Sequence, residues 1–242
     1  VTLSNITSLK MLDQLKSEFV AKVSHELRSP LSTIHEQLAT VLKDVTSEES
    51  AVDQDLIERA KEKTNALISL IGDLLDLSRI ESGSLTENKK PVQLVDLLSS
   101  IVEFMASRAE NNKQRLSLET GDQPLPEITA DPMALESIFG NLVTNAINYT
   151  PQGGEIKVSA WAEDGQIKVA VSDTGFGIPE KHQSRIFERF YRVKDENTRH
   201  ISGTGLGLPI VKGLVDSMQG TISVESTPGE GTTFTVLLPA DG

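Results

Sequence analysis

The hydrophobic period changes abruptly along this chain, and that change constrains the fold more than any other feature. Leu12, Leu15, Phe19, Val23, Leu27, Leu31, Ile34, Leu38 and Val41 return every three or four residues, which marks one apolar stripe on a long helix. The polar run Thr46-Ser47-Glu48-Glu49-Ser50 interrupts it. A second helical pattern then runs through Leu56, Ala60, Leu67, Ile71, Leu74 and Leu77 and stops near Ser82-Gly83, where glycine is a natural terminator. Two long helices joined by a short loop form an antiparallel hairpin. One hairpin buries both stripes poorly, whereas two hairpins bury them as a four-helix bundle. The pattern therefore predicts a homodimer through this segment, with a hairpin folded on its own chain as the alternative.

Beyond the hairpin the pattern changes. Residues 84–92 are polar and end near Pro91, as a linker does. Leu94 to Ala109 reads as a helix and Arg115 to Glu119 as a strand. Asp131-Pro132 places an N-cap and a first-turn proline at the start of a helix running to about Tyr149. Glu155 to Glu163 and Gln166 to Ser172 alternate about Asp164-Gly165, a hairpin signal. A helix from about Leu208 to Met218 precedes a last strand pair, Thr221 to Glu225 and Thr232 to Leu238. Helices on one face of a mostly antiparallel sheet make an α+β sandwich. The expected organisation is an entry helix or linker over 1–18, the helical hairpin over 19–83, a linker over 84–92 and the sandwich over 93–242.

Composition narrows the function. With 23 basic and 35 acidic residues the net charge is -12, so the chain has no global electrostatic attraction to nucleic acid or to an anionic membrane. It has no cysteine, which excludes disulfides, thiolate catalysis and cysteine-ligated zinc and agrees with a reducing cytoplasm. No apolar run is long enough to cross a bilayer, so no membrane contact is expected within these residues. The chain opens on Val1, as expected of a fragment of a longer protein that a membrane could anchor elsewhere.

Four groups of residues carry potential chemistry. His25 stands two residues after Val23 and two before Leu27; at about 100° per residue it points about 200° from both and faces solvent. An exposed histidine alone signifies little. Glu26 beside it can fix the imidazole tautomer and accept a proton while the other nitrogen attacks an electrophile. Arg28 adds a cation, and Pro30 removes a donor to the Glu26 carbonyl, which favours a bend there.

Asp173-Thr174-Gly175-Phe176-Gly177-Ile178 follows a strand, and Gly203-Thr204-Gly205-Leu206-Gly207-Leu208 precedes a helix. Glycine-rich loops let backbone amides approach phosphate, though glycines also simply make turns. Neither is a P-loop, because no Gly-Lys-Ser/Thr follows, and neither has the βαβ setting of a dinucleotide fingerprint. Asp173 is informative: a carboxylate at a strand end suits the exocyclic amine of adenine, not a phosphate. On the preceding helix Asn141, Asn145, Asn148 and Tyr149 share a polar face, with Ile138, Leu142 and Ala146 elsewhere. Amide oxygens can ligate Mg2+, which keeps waters and nucleotide phosphates as well; a merely solvated face is the alternative. Phe187 to Arg192 and the polar run Val193 to Ser202 read as an anchored lid with Arg189 and Arg192 able to meet phosphate, or else as an ordinary surface loop.

Together and in order these segments resemble the sensor histidine kinases of two-component signalling, over nearly the whole chain. Ser24-His25-Glu26-Leu27-Arg28-Ser29-Pro30 resembles the family's H-box and Asn141 to Ala146 its N-box. Asp173 to Ile178 resembles the G1 box, Phe187 to Arg192 the F-box and Gly203 to Leu208 the G2 box. The resemblance implies a dimeric phosphotransfer bundle followed by a Bergerat-fold ATP-binding domain. It implies that His25 accepts phosphate from Mg-ATP with Glu26 as general base, and that a response-regulator aspartate then takes the phosphoryl group. Asn145 is implied as the Mg2+ ligand, supported by Asn141. Asp173 is implied to read adenine, with Gly175, Gly177, Ile178, Tyr149, Tyr191 and Thr232 around the nucleotide. Arg192 is implied at the γ-phosphate, and Gly203, Thr204, Gly205, Leu206, Gly207 and Leu208 along the phosphates.

Val1 to Thr7 resembles the exit strand of a PAS sensor domain, with Leu9 to Phe19 as a signalling helix. Three departures from the family pattern stand out. Ser29 stands where threonine is common, so phosphatase activity toward the regulator is expected to be weak. Asn148 stands where lysine is common, and Glu136-Ser137 where a basic or amide residue is usual.

Overall fold

The computed structural model describes residues 27, 30–34, 36–38, 40, 41, 50–82 and 88–240, except 122, 123, 194, 200 and 202. The chain divides into two compact units, residues 1–74 and 75–242. Each of the described residues 27–41 is helical. Helix α1, Ser50–Ser82, extends the second hairpin arm over 33 residues. In the first unit Ala60 and Leu70 are buried, while Leu31, Leu38, Ile57, Ile68 and Ile71 are 46–62% exposed. His25, Glu26, Arg28, Ser29, the start of the chain and the turn at 46–49 lie outside the described residues.

The second unit holds β1 (Lys90–Val92), α2 (Leu94–Asn111), β2 (Arg115–Thr120), β3 (Ile128–Ala130) and α3 (Pro132–Tyr149). After these come β4 (Glu155–Glu163), β5 (Gln166–Asp173), a single turn α4 (Glu180–Gln183), α5 (Gly207–Ser217), β6 (Thr221–Thr227) and β7 (Gly231–Pro239). A five-stranded sheet has the order β2-β4-β5-β7-β6. Strands β2 and β4 pair in parallel within it; the other neighbours are antiparallel. Strands β1 and β3 form a separate antiparallel pair. Lys90–Val92, read from sequence as linker, is thus a strand.

Alternation puts one sheet face inside. Ile156, Val158 and Ala160 of β4, Ile167, Val169 and Val171 of β5, and Phe234, Val236 and Leu238 of β7 are all buried. Their registers coincide: Val158 opposes Val171, and Val171 opposes Phe234. The helical layer supplies Leu94 and Leu98 from α2, Ile138, Phe139 and Leu142 from α3, and Ile210, Val211 and Leu214 from α5, none more than 1% exposed. The opposite sheet face carries ion pairs such as Lys157–Glu119 at 2.6 Å. This is the expected two-layer sandwich.

Local chemistry sets the ends of the elements. Asp164 and Gly165 both have positive φ, 53° and 73°, as a two-residue hairpin turn of the twist-matched kind requires. Asp131 caps α3 by accepting from the Met133 amide at 3.0 Å, with Pro132 in the first turn. At the other end buried Gln114 donates through Nε2 to the carbonyls of Ile147 (2.9 Å) and Thr150 (2.6 Å). The last two turns of α1 belong to this second unit, where Ser137 Oγ on α3 donates to Asp76 Oδ2 at 3.1 Å.

Candidate functional site

Helix α3 is the floor on which both glycine motifs meet. At one end of its polar face, Asn141 donates through Nδ2 to the Ser137 carbonyl at 2.9 Å. Its Oδ1 lies only 2.8 Å from where a Cβ on Gly207 would stand, so the start of α5 approaches Asn141 as closely as glycine allows. At the other end the Tyr149 carbonyl accepts from the Phe176 amide at 3.1 Å and would be 2.4 Å from a Cβ on Gly175. Asn145 lies half-buried between the two ends. Asn148 Oδ1 accepts from Arg108 Nη2 of α2 at 2.9 Å.

Asp173 ends β5 and pairs in register with Thr232 of β7. Its Oδ1 accepts from the Gly175 amide at 2.8 Å. Burial pushes its carboxyl up to about 6, against the backbone amides of Gly175 and Thr232, which favour the ionised form. Gly177 has φ +68°, and a Cβ there would come within 2.1 Å of the Thr227 carbonyl. The loop is tied further from behind: the Ile178 amide donates to Ser226 Oγ at 2.7 Å, and Ser226 Oγ meets Thr232 Oγ1 at 2.9 Å. Gln183 Nε2 bridges the carbonyls of Ile178 and Ser226, both at 2.9 Å. A desolvated carboxylate held at the mouth of a glycine loop can accept a hydrogen bond from an amine and discriminate against an oxygen there.

The segment between the motifs is fastened at both ends. The Phe190 amide donates to the Gly205 carbonyl at 2.8 Å, and both residues have positive φ, 62° and 73°. Arg192 donates through Nη1 to the Gly203 carbonyl at 2.9 Å and through Nη2 to the Ile201 carbonyl. Its guanidinium thus grips the loop backbone that leads into the second glycine motif. Tyr191 Oη lies 2.5 Å from His182 Nδ1, with the Arg185 guanidinium 4.2 Å above the tyrosine ring. Leu206 is fully buried, its amide bound to Thr204 Oγ1 at 3.1 Å, and Leu208 lies half-buried in the first turn of α5.

Asn141, Asn145, Asn148 and Tyr149 lie on α3, Asp173 ends β5 beside Thr232 of β7, Gly175, Gly177 and Ile178 follow β5, and Tyr191, Arg192 and residues 203–206 lie in the segment that leads into α5, which begins with Gly207 and Leu208. Ser226, Gln183, Gln114 and Arg108 are not singled out by sequence. Ser226 falls just past the strand read from sequence, Thr221 to Glu225, and Gln183, Gln114 and Arg108 each bond a residue more than 30 positions away, so no local signal marks those contacts.

Residues 130–242 match the family described as histidine kinase-, DNA gyrase B- and HSP90-like ATPase, and residues 15–83 match the His Kinase A (phospho-acceptor) domain. The chain belongs to the sensor histidine kinases. This sensor histidine kinase chain is 36% identical to the phosphate regulon sensor protein PhoR of Pseudomonas aeruginosa over 231 residues. That alignment takes in 96% of this chain and 52% of PhoR, so the chain spans about half the length of that relative. Full-length ShkA, solved in complex with AMPPNP, superposes with a TM-score of 0.67 at 30% identity, covering 92% of this chain and 45% of ShkA. Histidine kinase ThkA, solved in complex with response regulator protein TrrA, shares the fold with a TM-score of 0.73 at 22% identity, over 96% of this chain and 64% of ThkA. The Bergerat-type sandwich of the second unit is the ATP-binding domain of the family. Among the described residues no helix is long and apolar enough to cross a membrane.

Proposed function

We propose that this chain binds Mg-ATP on the α3 face, transfers the γ-phosphoryl group to His25, and passes it to an aspartate of a response regulator. The observation that carries the reading is Asp173, a desolvated carboxylate flanked by glycines whose added Cβ atoms would collide with backbone. The glycines let the loop pack directly on the Tyr149 and Thr227 backbone and so fix Asp173 where it can accept from an amine, and the phospho-acceptor match over 15–83 supports a histidine acceptor.

In this reading Asp173 accepts from the adenine amine while Gly175, Gly177, Ile178 and Thr232 shape the wall. Tyr149 and Tyr191 line the same site. The asparagine amides fit a hard cation, with Asn145 as its ligand and Asn141 supporting it. Mg2+, when bound with nucleotide, neutralises phosphate charge. Residues 203–208 follow the phosphates. Arg192 faces the γ-phosphate while holding the lid. At His25 one ring nitrogen forms the new N–P bond as the bond from phosphorus to the leaving ADP oxygen breaks, and Glu26 takes the proton from the imidazole. The regulator's carboxylate then displaces the imidazole. Ser29 retains a hydroxyl able to orient a water, which supports a weak phosphatase activity.

The apolar residues of α1 that stay exposed in a single chain, Ile57, Ile68 and Ile71, support a homodimer that covers them in a four-helix bundle. Dependence on ATP and an intracellular regulator makes the cytoplasm the working compartment. Incubation with γ-labelled ATP and Mg2+ tests the reading, with His25→Ala as control. The expected label is acid-labile, alkali-stable and absent from the variant. Binding of ATP without label on either protein would instead favour an ATPase or a scaffold.

A further inference from the structure

Helix α3 carries amides along its polar face but no lysine or arginine anywhere in Pro132–Tyr149. A nucleotide polyphosphate is strongly anionic, and the chain around it has a net charge of -12. A cation nevertheless reaches this face, from a helix that carries none of the sequence motifs. Arg108, in the last turn of α2, donates to Asn148 Oδ1 at 2.9 Å. Among the described residues it forms no ion pair with a carboxylate. The negative end of the α2 dipole accounts for a basic residue at the end of that helix, but not for its bond to an asparagine on α3.

The bond has two effects. It occupies the acceptor oxygen of Asn148, so this side chain offers N–H donors rather than a metal-ligand oxygen. It also fixes a guanidinium beside a residue that lies one turn from Asn145 and two turns from Asn141 on the same face. A guanidinium has five N–H donors, and one bond to an amide leaves a planar fork suited to two phosphate oxygens.

We propose that Arg108 is a nucleotide-binding residue that contacts the polyphosphate, with Asn148 as the residue that positions it. The proposal rests on the reading of the α3 face as the ATP site. Asn148 is, on this account, a tether for a cation supplied by α2.

The test is the affinity of the whole chain for Mg-ATP, Mg-ADP and adenosine, measured by calorimetry for the parent, Arg108→Ala, Asn148→Ala and Arg108→Ala/Asn148→Lys. Arg108→Ala is expected to weaken ATP about tenfold and ADP less, with adenosine unchanged, as loss of one charge-assisted phosphate contact predicts. Asn148→Ala should weaken ATP by a smaller factor. Arg108→Ala/Asn148→Lys should recover most of the ATP affinity by putting the charge back from the other helix. Unchanged ATP affinity in Arg108→Ala, or equal losses for ATP and adenosine, would overturn the proposal. A parent chain that binds no ATP would overturn the reading beneath it, a different result from a parent that binds and a variant that binds equally well.

Discussion

Replacing Asp173 with asparagine should strengthen the fold and weaken the site at once. In the unfolded chain this carboxyl titrates near the ordinary 3.8; in the fold burial raises it to about 6. Between those values the folded state holds the extra proton, so the group's contribution to stability is greatest below about pH 4 and is lost as pH rises through about 6. The difference corresponds to about 3 kcal/mol of destabilisation at neutral pH, an upper bound because part of the side chain meets solvent. The substituted side chain would keep an oxygen for the Gly175 amide but must bury an amide of its own, which leaves a net gain of about 1–2 kcal/mol. Trp161, the single tryptophan, lies in β4 and reports unfolding of this unit alone. Urea titrations followed by its fluorescence at pH 5, 6 and 7.5 should show Asp173→Asn more stable than the parent at pH 7.5, with the gap closing toward pH 5. Subtracting the two curves removes the other carboxylates. Adenosine affinity should fall by about 10- to 100-fold at pH 7.5, as loss of a charge-assisted hydrogen bond implies. A variant less stable than the parent at pH 7.5, with no pH-dependent gap, would refute the desolvation argument.

Gly177→Ala puts a Cβ 2.1 Å from the Thr227 carbonyl at φ +68°, so nucleotide binding should be lost and the melting temperature lowered, as calorimetry and thermal melts would record. Gln114→Ala strands two carbonyls at the end of α3 and should cost about 1–3 kcal/mol in urea unfolding. Asn145→Ala should weaken ATP binding about tenfold in Mg2+ while barely changing it in EDTA; equal losses under both conditions would remove Asn145 as the metal ligand.

The elements legible in the sequence are those whose signals are local. Asp131-Pro132 marks the start of α3, and Asp164-Gly165 marks the hairpin, because cap and turn depend on adjacent residues. Strand β1 carries no such signal, because Lys90-Pro91-Val92 has no alternation and contains proline; it is a strand only because residues 128–130 lie beside it. The site divides in the same way. Asp173 and the glycines carry their chemistry within six residues. Ser226 acts on Ile178 from 48 positions away, and Arg108 on Asn148 from 40, so their roles exist only once the chain has folded.

The fastening of Phe190 to Gly205 and of Arg192 to Gly203 has a consequence for how this family can vary. With the ends of the intervening segment stitched together, the segment is a closed loop, and the entropy of closing it grows only logarithmically with its length. Doubling it costs about 0.6 kcal/mol. Insertions and substitutions between the stitches should therefore alter which surfaces the loop meets and how fast it opens, while leaving the adenine wall and the α3 face in register.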